Sequence, residues 1–169
     1  MYEEIEGYAK TKYMVDTYGS ENDFQGMNGT FYQVTQYGET AATAQYKAPA
    51  GTSGWYLPSI GQWWDILENL GEAEGLVALK ENETVSSNIA ITLNGESTLE
   101  TLNTRLKAAS SSAEEFESAK NYWSSSEHNR NSKGLVYAHS VSLTATSLTT
   151  TSATKASNSN RRVRCVLSF

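Results

Sequence analysis

The sequence predicts an α+β domain in which helices pack on a small, mostly antiparallel sheet with long loops. Three observations carry this prediction. Helix signals concentrate in the first two thirds of the chain, where two capping boxes introduce apolar residues at helical spacing. Strand signals concentrate in the last third, where Leu135, Tyr137, His139, Val141 and Leu143 alternate with Val136, Ala138, Ser140 and Ser142. Helices followed by strands favour α+β over a parallel βαβ arrangement.

The elements follow in order. Residues 2–18 place Ile5, Tyr8, Ala9 and Val15 at approximate helical spacing and stop at Gly19, which predicts a short helix. Asn28-Gly29 signals a turn, and Thr30-Phe31-Tyr32-Gln33-Val34 predicts a strand after it. The Ala-rich residues 40–47 end before Pro49 and predict a short helix. The strongest helix starts at Ser59, where Gln62 completes a capping box. It carries Ile60, Trp63, Trp64, Leu67 and Leu70, and Gly71 closes it. Adjacent tryptophans cannot both point straight at one core, so one of Trp63 and Trp64 is expected to cover a loop.

Residues 88–93 alternate weakly before the turn signal Asn94-Gly95. Ser97 with Glu100 forms a second capping box before Leu99, Leu102 and Leu106. Residues 110–115 predict a loop with a helical turn, and residues 163–169 a last apolar strand. No internal repeat is present. The chain fits one domain, residues 1–169, with residues 1–39 packed on it as an N-terminal extension.

The charge, −6, is mildly acidic, and no basic run provides a footprint for nucleic acid. The cluster Arg161-Arg162-Val163-Arg164 is expected to point alternate charges outward from a strand. Cys165 has no internal disulfide partner and sits among Val163, Val166 and Leu167, which predicts a buried, inert thiol. No stretch approaches the roughly 20 apolar residues of a membrane span, and no signal peptide follows Met1. Calcium needs six to eight oxygens, several from carboxylates, and residues 128–160 hold no Asp or Glu. His128 and His139 lack a third metal ligand and read as surface residues. No metal, no cofactor and no catalytic residue is expected. Asn28-Gly29-Thr30 and Asn82-Glu83-Thr84 match glycosylation sequons and imply exposed loops.

Between residues 140 and 160, 12 of 21 residues are Ser or Thr. Small hydroxyls tolerate many neighbours and offer little for chemistry, so this tract predicts a binding face. The face is taken to span residues 128–160, and its candidate ligand-binding residues are His128, Asn129, Arg130, Asn131, Ser132, Tyr137, His139, Ser140, Ser142, Thr144, Thr146, Thr149, Thr151 and Ser157. Because Val141 and Leu143 want the core, Ser140 and Ser142 are expected to be exposed, with Tyr137 and His139 at the rim. Trp55, Trp63 or Trp64, and Trp123 are expected to be buried in the scaffold.

Four motifs in order carry a family resemblance. They are Gly54-Trp55-Tyr56-Leu57-Pro58-Ser59, Tyr122-Trp123-Ser124-Ser125-Ser126-Glu127, Tyr137-Ala138-His139-Ser140-Val141-Ser142-Leu143 and Val163-Arg164-Cys165-Val166. Together they resemble bacterial domains with the C-type lectin-like fold, related to the formylglycine-generating enzyme family. The resemblance covers residues 40–169. Within that group the chain is most similar to the variable (target) proteins of diversity-generating retroelements. In that family, errors at template adenines turn Asn codons into codons for many residues.

The resemblance implies a sequence-variable face, here residues 123–164, on a receptor or adhesion domain displayed on a bacterial cell or phage particle. The expected partner is a protein or glycan on another cell or particle, with no nucleic acid and no membrane insertion. The generating enzyme's cysteine and metal chemistry is not expected, since only Cys165 is present. A structural or tip subunit of a surface fibre, with an unvaried lectin-like face, is the alternative.

Overall fold

The protein is α+β, with helices packed on an antiparallel sheet. The structure, a computed structural model, describes residues 5–21, 29–73, 76, 89–92, 98–130, 136–144, 147–154 and 161–169, with the backbone alone for 89–92, 128–130 and 136. Its helices are α1 (Gly7–Tyr18), α2 (Thr30–Thr35), α3 (Ile60–Asn69) and α4 (Thr98–Ala109), with a 3₁₀ turn at Ala44–Tyr46. Its strands are β1 (Ile89–Thr92), β2 (Asn121–Arg130), β3 (Val136–Leu143) and β4 (Ser147–Thr154), in the sheet order β1-β4-β3-β2. Every strand pair is antiparallel.

Helix α3 organises the core. Ser59 Oγ accepts from Gln62 N, and Gln62 Oε1 accepts from Ser59 N, so the predicted capping box is complete. The two tryptophans depart from expectation, because both are fully buried. Trp63 donates its indole N–H to the Trp123 carbonyl at 3.1 Å and packs on Phe116 and Tyr122. Trp64 also joins the cluster of Ile60, Leu67, Leu76, Leu102, Val141, Leu143 and Leu148. Both can be buried because α3 is enclosed on more than one side. Leu70, expected in the same stripe, is 50% exposed.

Gly71 serves close approach at this helix end: a Cβ there would sit 2.7 Å from the Leu67 carbonyl oxygen and crowd Thr98. The left-handed residue is Glu72, at φ 52°. Arg105 caps the end, donating to the carbonyls of Asn69 and Leu70 and pairing with Glu72, so a cation meets the negative end of the helix dipole.

Helix α1 forms as predicted, but Ile5, Tyr8 and Tyr13 are exposed. It docks instead through Gly7 and Thr11, one turn apart. A Cβ on Gly7 would lie 2.7 Å from the Leu57 carbonyl oxygen, and Thr11 Oγ1 accepts from Leu57 N at 3.1 Å. Small residues at (i, i+4) let the helix backbone approach the segment before α3 closely.

Three segments differ from expectation. Thr30–Thr35 is helical, with Val34 buried, where β-rich composition had predicted a strand. Strand preference rests on cross-strand neighbours, and this segment packs against α1, outside the sheet. Residues 40–47 form turns and one 3₁₀ turn, without an α-helix. Residues 163–169 make no strand ladder: Val166 exchanges two backbone hydrogen bonds with Tyr56, and Ser53 N donates to the Ser168 carbonyl. Gly54 between these pairings has φ 77°, which interrupts regular pairing.

The expected turns at Asn28 and Asn94-Gly95, the Ser97 cap and the Asn82 sequon lie outside the described residues. Residues 110–115 contain a turn and irregular backbone, without a helical turn.

Candidate functional site: the outer face of the sheet

Strand periodicity sorts β2, β3 and β4 into two sets of side chains. One set faces the helices. Tyr122 pairs with Val141 and Val141 with Thr150, and in the next inward row Leu143 pairs with Leu148. All five are buried. The other set faces away: Trp123 pairs with Ser140 and Ser140 with Thr151, while Asn121 pairs with Ser142 and Ser142 with Thr149. Here Asn121, Trp123, Ser142, Thr149 and Thr151 are half-buried.

This outer face is stitched by polar contacts. Ser140 Oγ and Thr151 Oγ1 are 2.9 Å apart, and Thr151 Oγ1 donates to Asn121 Oδ1 at 3.4 Å. Arg161 crosses over it from the edge beside β2. The crossing is held by backbone bonds from Trp123 N to the Arg162 carbonyl, 3.0 Å, and from Arg162 N to the Asn121 carbonyl, 2.7 Å. Arg161 stacks with its Cζ 4.9 Å from the Trp123 ring centroid and donates Nε–H to Ser140 Oγ at 3.1 Å. Burial lowers the guanidinium from its ordinary pKa. Ser140, expected outside, is fully buried beneath this cover. The alternation was right about which face holds Ser140; the covering side chain comes from 21 residues away.

The other candidate residues distribute unevenly. Ser142, Thr149 and Thr151 share the outer face. His139 lies on the inner side and is 1% exposed, so it is a core residue and not a rim residue; Tyr137, on the same side, is half-buried near the strand end. Thr144 closes the β3–β4 hairpin, its Oγ1 accepting from Ser147 N at 3.0 Å. The side chains of His128, Asn129 and Arg130, and residues Asn131, Ser132, Thr146 and Ser157, lie outside the described residues.

Trp55 and Trp123, expected in the core, are half-buried. Trp123, Asn121 and Arg161 are members of the face that periodicity alone did not identify. With the register known, Trp123 follows from Tyr122, since neighbours on a strand face opposite ways.

The serine motif after Trp123 is structural. Between Trp123–Ser140 and Glu127–Ala138, β2 places three residues, Ser124 to Ser126, opposite the single His139 of β3, which makes a bulge. Ser124 Oγ donates to the His139 carbonyl, Ser125 N donates to the Pro58 carbonyl, and Ser126 Oγ accepts from Ile60 N at 2.9 Å. Ser126 and Ser59 thus satisfy two of the N–H groups left open at the start of α3. Ser125 Oγ is buried with no partner among the described residues.

The arginine cluster also departs from simple alternation. Arg162 pairs with Glu117 at 2.9 Å, Arg164 lies over Phe116 and donates to the Glu114 carbonyl, and the apolar Val163 is exposed together with Arg162. Cys165 is largely shielded, and burial pushes its thiol up to about 11. It lines a separate cleft of about 610 Å³ with Tyr37, Tyr46, Trp55 and Glu114, sharing no residue with the outer face. Among the described residues, no three His, Cys, Asp or Glu side chains gather as a metal site, and no helix is long and apolar enough to cross a membrane. No family model matches the chain, and no curated protein or solved structure is significantly similar to it.

Proposed function

We propose that the chain is a non-enzymatic binding domain that presents the outer face of β2–β4 to a protein or glycan on another cell or particle. In this reading it adopts the C-type lectin-like fold and belongs with the variable proteins of diversity-generating retroelements. The observation that carries the proposal is the separation of tasks across the sheet. Tyr122, Val141, Leu143 and Leu148 hold the helices on one side, while Ser142, Thr149 and Thr151 share the other side with Trp123 without entering the core cluster.

Such a face can change its side chains without changing the fold. Tryptophan and arginine supply the contact area and donors that dominate interface energies, and small hydroxyls adapt around them. The test is a library randomised at Ser142, Thr149 and Thr151. Most members should stay folded, with melting shifts equivalent to within about 0.5 kcal/mol per substitution, while ligand capture varies among them. A library that mostly aggregates would show this face to be part of the scaffold. A reverse transcriptase gene and a near-copy of the 3′ end in the flanking DNA would test the retroelement assignment independently.

A further inference from the structure

The basic groups of this protein differ in how they are compensated. Arg105 pairs with Glu72, Arg162 with Glu117, Lys12 with Asp16, Lys47 with Glu39 and Lys107 with Glu115. Arg161 and Arg164 have no carboxylate partner among the described residues: Arg164 rests on the Phe116 ring and the Glu114 carbonyl, away from the outer face, and Arg161 on the Trp123 ring and the Ser140 hydroxyl. On the same face Glu127, exposed and opposite Ala138, is a carboxylate one row beyond Ser140, and the chain after it is basic. Residues 128–169 contain no Asp or Glu and six Lys or Arg, a formal +6, while residues 1–127 hold all 19 acids and seven Lys or Arg, a formal −12, together the −6 of the chain.

Resting on the binding-face reading, we infer that the outer face takes a partner through a carboxylate of an acidic protein surface, docked on Arg161 beside Trp123. The Nε–H of Arg161 is committed to Ser140, which fixes the plane of the guanidinium and leaves its terminal N–H groups for the ligand. A guanidinium pre-oriented by a ring and a hydroxyl loses little freedom on pairing. Its partial desolvation, which lowers its pKa, strengthens a hydrogen bond to an incoming anion. Ser142 and Thr149 share the face as hydroxyl donors, and the Trp123 ring supplies apolar area.

An acidic protein surface is favoured over nucleic acid. A nucleic-acid-binding domain is expected to be basic overall, whereas this chain has a pI near 5.0. A long polyanion would meet the −12 remainder. A local carboxylate would not, since exposed charges are screened within about 8 Å at physiological salt.

The test titrates the ¹⁵N-labelled full chain with four probes: a capped glutamate-rich peptide, its glutamine counterpart, 3′-sialyllactose and a short oligothymidylate. The glutamate peptide should shift the Arg161 Nε–H and Trp123 indole resonances and bind about tenfold or more tightly than the glutamine peptide. Arg161→Gln should erase that difference, Arg161→Lys should keep part of it, and unchanged melting curves should show that both variants fold. Equal binding of the two peptides, shifts confined to other surfaces, or no shift with any probe would overturn the inference. Tighter binding of sialyllactose or oligothymidylate at Arg161 would overturn the protein assignment in favour of an acidic glycan or a nucleic acid. If Ser142→Tyr blocks peptide binding and Arg161→Gln does not, the face reading stands and the carboxylate inference fails. If neither substitution matters, the face reading itself fails.

Discussion

The two sides of the β2–β3–β4 sheet share one backbone and are built by opposite chemistries. On the inner side, Val141 contacts a cluster that includes Trp63, Tyr122, Leu143 and Leu148. On the outer side, one residue earlier in β3, Ser140 sits under a single arginine that reaches across from beside β2. Both residues are fully buried, yet Val141 is enclosed by apolar packing and Ser140 by a polar side chain. Burial by a core and burial by a cover are therefore different things. The first is a cluster of many apolar side chains; the second rests on one side chain and its hydrogen bond.

The sharpest way to break this comparison is to truncate one tryptophan on each side. Trp63→Ala should cost about 3–5 kcal/mol, because it removes a fully buried ring and its hydrogen bond to the Trp123 carbonyl. Trp123→Ala should cost only about 1–2 kcal/mol, since its ring is half-buried and its stacking with Arg161 is worth about 0.5–1 kcal/mol. Urea unfolding of both variants checks the pair. Equal losses would mean that the outer face is as structural as the inner.

A second comparison lies within three consecutive serines. Ser126→Ala should destabilise by about 1–3 kcal/mol, because it strands the buried Ile60 N–H. Ser125→Ala should be neutral or slightly stabilising, because that hydroxyl is buried without a partner among the described residues. Chemical denaturation of the two alanine variants measures the difference. A larger loss at Ser125 than at Ser126 would contradict the assignment of the motif to the cap of α3.

The smallest effect concerns Cys165. Burial raises its pKa from 9.0 to about 11, so the folded state disfavours the thiolate. The unfolded chain then releases its proton first as pH rises. The contribution is fully present below about pH 9 and is lost on the way to about pH 11. Wild type should lose more stability than Cys165→Ala across that window, and the folded thiol should alkylate slowly at pH 7. Parallel pH curves for the two proteins would show that Cys165 ionises as freely folded as unfolded.

Local patterns were the parts legible in the sequence. Ser59 and Gln62 define a helix start through bonds that span three residues, so no distant partner is needed. Alternation in residues 136–143 places Val141 and Leu143 together because a strand has period two wherever it lies. The stripe of Leu99, Leu102 and Leu106 likewise marks the side of α4 that meets the core.

Only the tertiary structure decided what covers each side. Thr30–Thr35 became helical because its neighbour is α1, and Ile5 and Tyr13 stayed exposed because Gly7 and Thr11 allow closer docking on the opposite side of the helix. His139 and Ser140 are buried for reasons that lie far along the chain, in the helices behind the sheet and in Arg161 across it. Periodicity reports which side chains point the same way. It carries no information about which distant segment will arrive to meet them, because that depends on the whole set of packing contacts settling at once.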